Sequence, residues 1–404
     1  MITQAAASEA EPTEPTPIHT RAFDALRAGN LGSWPVIIAL AIIVLVFSQT
    51  APNFFTPANF ENIITQMAGT CLLAYGVVFV LLIGEIDLSI SFVSGVAAVI
   101  VAEAQLPNGL HLPWYVSIFL AILGATLIGA FQGSVVALVG VPSFVVTLAG
   151  FEIWQGVIQR SLTQGVIVIQ DPMINNTSNY FFSDLGGWII AALVSAASVG
   201  GMLAGAVSGL RHGIPIRHPV RLGLRAVVIP VIAIVTVWIS NKDRGVPFAL
   251  LLVVGALLLW TFVAKRTTFG RHVYAVGGNA EAARRAGINV PRIRIFVFMI
   301  AGAMSGLGGV VLAARLNSVD LNAGGGTLLI DAIAAAVIGG TSLFGGRGEI
   351  RNALIGAAVI STVSNGMFIL GYTTGTIFIV TGAILLLAVT FDTVARRLQM
   401  RSGR

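Results

Sequence analysis

The sequence predicts an all-helical protein that crosses a membrane many times. Of its 404 residues, 56% are hydrophobic and only 10% are charged. A soluble domain carries about 25% charge, so this chain has too little polar material to coat a globule in water. Its mean hydropathy is +0.90. Apolar runs long enough to cross hydrocarbon, about 20 residues each, recur along the chain, and lysine and arginine gather in alternate loops between them. The 46 glycines follow no period, which excludes a collagen-like repeat and suits membrane helices that approach closely. Cys71 is the single cysteine and lies inside an apolar run, so no internal disulfide is possible. The net charge of +6 reads as basic loops at a membrane rather than a nucleic-acid surface.

The elements follow in order. Residues 1–33 carry Glu9, Glu11, Pro12, Glu14, Pro15 and Pro17 and read as a disordered tail, with a short helix around Arg21–Arg27. The first apolar run begins near Trp34, too far in for a usual signal peptide, and is read as a retained anchor. Candidate membrane segments lie near 34–50, 62–83, 87–104, 114–139, 143–160, 187–210, 224–240, 246–264, 294–316, 327–343, 353–370 and 374–392, about twelve in all. The runs at 87–104, 143–160 and 327–343 are short or broken and suit re-entrant segments as well as spans. Residues 34–395 thus form one transmembrane domain, followed by a short tail at 396–404.

Placing the amino terminus in the cytoplasm puts 19 lysines and arginines on the inner side and leaves Arg160, Lys242, Arg244 and Arg315 outside. Basic residues favour cytoplasmic loops, so both termini are expected inside. The outer loop at 161–186 has only Asp171 and Asp184 for charge and carries Asn175, Asn176, Asn179, Tyr180 and Phe181. It suits an extracellular partner. The inner loop at 265–293 is long and basic and suits an intracellular one.

That inner loop contains a helix signal. Asn279 is a good N-cap, Glu281 falls in the first turn, and Arg284 and Arg285 fall in the last. Gly287 stands where a helix stops. The predicted helix has about two turns and is too short to persist alone in water, so it packs on its own protein or docks in a partner. Its small residues Ala282, Ala283 and Ala286 are expected to face a partner's groove.

Four ordered stretches carry a resemblance. They are Gly84-Glu85-Ile86-Asp87-Leu88-Ser89; Pro142-Ser143-Phe144-Val145-Val146-Thr147-Leu148; the loop from Gly270 through Gly277-Gly278-Asn279 to Gly287-Ile288-Asn289-Val290; and Asp331-Ala332-Ile333-Ala334 with Gly339-Gly340-Thr341-Ser342-Leu343-Phe344-Gly345-Gly346-Arg347-Gly348. Together they resemble the permease subunits of monosaccharide ATP-binding-cassette importers of the ribose, galactoside and xylose group. Glu85 and Gln132 stand where the family pattern usually has Gly and Asn. Residues 187–244 form an extra hairpin of two spans, which resembles the enlarged xylose-type branch and points to a pentose.

The resemblance implies a homodimeric permease in a bacterial cell membrane, with a separate ATP-hydrolysing subunit inside and a sugar-binding protein outside. ATP and magnesium would be used by that partner, and this chain would be no enzyme and hold no cofactor or metal. Its coupling residues would be Asn279, Glu281, Ala282, Ala283, Arg284, Gly287 and Ile288. A phosphate-binding Gly-x-x-x-x-Gly-Lys is absent, because the only lysines are Lys242 and Lys265 and neither follows glycine.

Ionisable and polar residues inside apolar runs are candidates for a substrate pathway: Glu85, Asp87, Gln132, Ser143, Thr147, Asp331, Phe344 and Asn365. Asp87 equally suits capping of a helix that begins near Leu88, Asp331 suits a first-turn carboxylate, and the others suit interhelical hydrogen bonds or packing. Gln132-Gly133…Phe144-Val145-Val146-Thr147 also echoes Asn365-Gly366…Phe378-Ile379-Val380-Thr381 in the opposite direction, as an inverted repeat requires. Two alternatives stay open. One is a permease for another polar solute, such as a nucleoside, an autoinducer sugar or a branched-chain amino acid; the other is a stand-alone secondary transporter.

Overall fold

The computed structural model describes residues 34–107, 109–213 and 219–401. The expected amino-terminal tail at 1–33 lies outside them. The chain is almost wholly helical: α1 Trp34–Thr50, α2 Pro57–Leu82, α3 Ile90–Ala104, α4 Trp114–Ser134, α5 Ser143–Ser161, α6 Pro172–Asn179, α7 Asp184–Arg211, α8 Pro219–Ser240, α9 Phe248–Arg266, α10 Thr268–Gly278, α11 Ala280–Arg285, α12 Val290–Leu316, α13 Leu328–Ile338, α14 Ile350–Ile369 and α15 Thr374–Arg401. Four short strands, β1 Val166–Val168, β2 Phe181–Phe182, β3 Val246–Pro247 and β4 Ser318–Asp320, form two antiparallel pairs, β1 with β4 and β2 with β3. Among the described residues, seven helices are long and apolar enough to cross a bilayer. The protein is a multi-pass membrane protein.

The core is α2 and α12. Most of α2 is buried, with Leu72, Leu73, Tyr75 and Phe79 fully enclosed. Small residues on α12 allow the contact: a side chain at Gly302 would strike the Ala125 carbonyl of α4, and one at Gly309 would strike the Ser94 carbonyl of α3. Both glycines therefore mark backbone-to-backbone approach.

Two crossings are broken, and each differs from the expected run. Residues 84–89 are not helical, so α3 begins at Ile90 rather than near Leu88, and its 15 residues reach only about 22 Å. Residues 321–327 are likewise irregular before α13, whose 11 residues reach about 16 Å, short of the roughly 30 Å of hydrocarbon. Both short helices start deep inside. Ser305, near the middle of α12, donates to the Ile90 carbonyl, and Gly324 lies against the Ser91 carbonyl.

The same order of elements occurs twice: α2, the broken α3, α4 and α5, then α12, the broken α13, α14 and α15. A wide turn at Val135–Val139 and Gly140 at φ +85° join α4 to α5, while Gly371 at φ +76° joins α14 to α15. The extra hairpin α7–α8 stands apart: α7 buries only Gly187 and Ala191. It is tied to the body at one end by β2–β3 and by Glu61, which accepts the backbone N–H of Arg244 at 3.1 Å and pairs with its guanidinium at 3.2 Å.

Two sequence expectations are corrected. The stretch at 161–186 is no open loop but a folded cap, in which Asn179 donates to the Ala314 carbonyl at 2.7 Å. The carboxy-terminal residues 396–401 continue α15 rather than forming a tail.

At the opposite end three glycine loops meet. The Gly346 N–H donates to the Leu82 carbonyl at 2.9 Å, and a side chain at Gly277 would collide with that same carbonyl and with the Gly346 nitrogen. Gly277→Ala is therefore expected to lower thermal stability in detergent, overpacking costing about 1–3 kcal/mol. Gly278→Ala, with nothing within 4 Å of the added carbon, should melt like the parent protein.

Candidate functional site

The irregular segment 84–89 is the natural starting point, because backbone polar groups at membrane depth must be satisfied by protein or by an enclosed water path. Side chains satisfy it here. The Ile86 N–H donates to Ser143 Oγ at 3.2 Å, and Thr147 Oγ1 donates to the Ile86 carbonyl at 3.2 Å. Asp87 Oδ1 accepts the Ser89 N–H at 2.9 Å and the Ser89 hydroxyl at 2.7 Å. Asp87 thus holds the turn that leads into α3, whose N-cap is Ser89, and the Ser143–Thr147 motif on α5 serves as a backbone clamp.

Ser89 Oγ also lies 3.0 Å from the Gln132 side-chain amide. Gln132 meets Ser89 with its carbonyl oxygen Oε1, so Asp87 and Gln132 are both acceptors facing the one Ser89 hydroxyl. Gly150 makes the space: a side chain there would strike the Gln132 amide and stand 3.3 Å from Trp154 Nε1. Asp87, Ser89, Gln132 and Thr147 are all buried. The sequence had flagged three of these as pathway candidates and Ser89 only as the last residue of the Gly84–Ser89 stretch; Gly150 and Trp154 carried no signal beyond lying in an apolar run.

The two departures from the family pattern acquire partners. Gln132 joins this polar node, and Glu85 pairs with Arg294 of α12 at 3.0 Å, both side chains being largely buried. The other expected pathway residues are not gathered here. Asp331 accepts from Thr327 at 2.7 Å at the start of α13, Asn365 is buried on α14, and Phe344 is 57% exposed on the glycine loop.

The predicted inner helix is α11. Asn279 Oδ1 accepts the Ala282 N–H at 2.9 Å, and Gly287 at φ +84° ends the helix. The Ile288 N–H donates to the Ala283 carbonyl and the Gly287 N–H to the Arg284 carbonyl, both at 3.0 Å, the paired bonds of a Schellman stop. Glu281 pairs with Arg284 and Arg285 at 3.2 Å each, all three exposed. One expectation fails. Ala283 is buried against its own chain while Ala282 and Ala286 are exposed, because the helical period sets Ala283 on the inner face.

Around α11 the loops are pinned to one another. Tyr274 donates to the Gly348 carbonyl at 2.8 Å, and Lys265 pairs with Glu349 at 2.6 Å. Burial raises the Glu349 carboxyl, but Lys265 and Arg351 outweigh it and hold it below its ordinary 4.5. Ionised Glu349 therefore stabilises the fold above that value, and the contribution is lost as pH falls through the lowered one.

Residues 59–389 match the model of the branched-chain amino acid transport system / permease component family. The chain belongs to that permease family. It is 37% identical to the xylose transport system permease protein of Escherichia coli (strain K12), over 93% of this chain and 95% of that protein. A xylose transport system permease of Haemophilus influenzae is 36% identical over 91% and 98%, and a ribose import permease of the same organism is 32% identical over 88% and 91%. No solved structure matches. In this permease the Glu85–Arg294 pair joins segment 84–89 to the helix that follows α11.

Glu85→Ala strands Arg294 and is expected to destabilise the permease by on the order of 2 kcal/mol, between surface and buried pair values. The exchange Glu85→Arg with Arg294→Glu should recover at least half of the lost melting temperature. No recovery would mean that the two charges act independently.

Proposed function

We propose that the chain is the membrane-spanning subunit of an ATP-binding-cassette importer for a monosaccharide, with a pentose such as xylose as substrate. The observation that carries this is the 37% identity to a xylose transport permease along nearly the whole of both chains, 93% and 95%. That span includes the extra hairpin.

In this reading the basic end of the molecule faces the cytoplasm, since 19 lysines and arginines assign to it. The protein sits in a bacterial inner membrane, works as a homodimer and receives sugar from an extracytoplasmic binding protein. A separate ATPase, using ATP and magnesium, docks on α11. Asn279, Gly287 and Ile288 shape that helix, while Glu281, Ala282 and Arg284 present its exposed face. Ala283 holds α11 on α12. ATPase closure moves α11 and the start of α12, and the Glu85–Arg294 pair passes the motion to segment 84–89.

A second reading takes its support from the family description, which names branched-chain amino acids. Radiolabelled uptake in a deletion strain separates the two. Xylose uptake should depend on the chain, should be competed more weakly by ribose and should be unaffected by leucine. Leucine uptake without xylose uptake would overturn the sugar reading.

The docking face has its own test. Ala282→Arg places a large charge on the exposed side of α11 and should abolish co-purification of the ATPase and uptake, with normal membrane accumulation. Ala283→Arg forces an unpaired charge into the chain's own interior, a cost of several kcal/mol, and should reduce accumulation itself. Normal uptake by the Ala282 variant would remove α11 from the coupling route.

A further inference from the structure

Helix α5 exposes a mixed surface, with Phe144, Val145, Leu148, Ile153 and Val157 beside polar residues. Among the latter, Glu152, Gly156 and Gln159 follow one another at helical spacing, with Arg160 next to them. Glu152 lies at the middle of the helix, about 14 Å from either end at 1.5 Å per residue. It is exposed and makes no ion pair or hydrogen bond among the described residues. Carboxylates within membrane segments face a bundle interior or a water-filled cavity, because hydrocarbon is costly for them.

The helices that do face lipid look different. On α4 the exposed stripe is Phe119, Leu123, Leu127 and Phe131, and on α8 it is Val227, Val231, Ile234 and Trp238. Helix α15 holds the last place in the second half of the chain, as α5 does in the first. There the residue that stands to Thr381 as Glu152 stands to Thr147 is Leu386, 68% exposed. Against that background, Glu152 and Gln159 stand out on the exposed surface of α5.

We infer that the Glu152–Gly156–Gln159 face of α5 lines the aqueous route of the transported solute, with Glu152 accepting hydrogen bonds from sugar hydroxyls. The carboxylate offers two acceptor oxygens to neighbouring hydroxyls, Gln159 both donates and accepts, and Gly156 leaves room between them for a ring. The sugar assignment rests on the importer reading above; the aqueous face does not. The opposite side of α5 clamps segment 84–89 through Ser143 and Thr147, so one helix joins the route to the moving segment.

The only cysteine, Cys71, is fully buried, so Cys71→Ala supplies a clean background for single-cysteine labelling in cells that carry the complete transporter. Glu152→Cys, Gly156→Cys and Gln159→Cys should react with a membrane-impermeant cationic methanethiosulfonate at least tenfold faster than Leu127→Cys and Val231→Cys. Millimolar xylose should slow labelling at position 152 severalfold. Glu152→Gln should accumulate normally and raise the KM for uptake at least fivefold. Labelling at 152 no faster than at 127 would overturn the aqueous face. Fast labelling that no monosaccharide slows would overturn the sugar contact. Failure of the importer reading itself would appear separately, as absent xylose uptake by the parent protein.

Discussion

The organising constraint is that backbone at membrane depth cannot borrow hydrogen bonds from solvent. Segment 84–89 breaks the helical ladder there, and the rest of the site exists to satisfy it. Ser143 and Thr147 serve Ile86 from α5, while Asp87 holds Ser89 at the entrance to α3. Removing the break would give one continuous helix and leave Ser143, Thr147 and Gln132 without work. Motifs separated along the chain therefore stand together in space for one physical reason.

Glycine makes the second half of the arrangement possible. The turns at Gly84, Gly277 and Gly345–Gly346 approach closely enough that backbone touches backbone. Side chains there would push these segments apart. The contact joins the end of α10 to the residues around Gly84, and the Glu85–Arg294 pair adds a second tie to α12. The capping, the glycine stop and the inward Ala283 fix the orientation of a helix that could not persist by itself.

The hairpin α7–α8 adds length without altering this core. Its helices pack chiefly on each other, and its ties lie at the end away from α11, where Glu61 holds Arg244 and Phe181 underlies the guanidinium at 4.3 Å. The breaks come in pairs: each half of the chain has an irregular stretch followed by a short helix, α3 in one and α13 in the other.

The sequence by itself determined the solvent, the helical segments and the caps of α11, because hydropathy and capping are local properties. Asn279 and Gly287 were legible for that reason, and so were the short runs that proved broken. It did not determine which residues meet. Arg294 lies far along the chain from Glu85, and Gly150 and Trp154 look like any other members of an apolar run. Which face of α11 Ala283 occupies, whether Phe344 joins the polar node, and how Gln132 orients its amide depend on distant elements packed against them. Those answers came from the tertiary structure alone, since only packing sets which side of each helix meets protein and which is left to lipid or water.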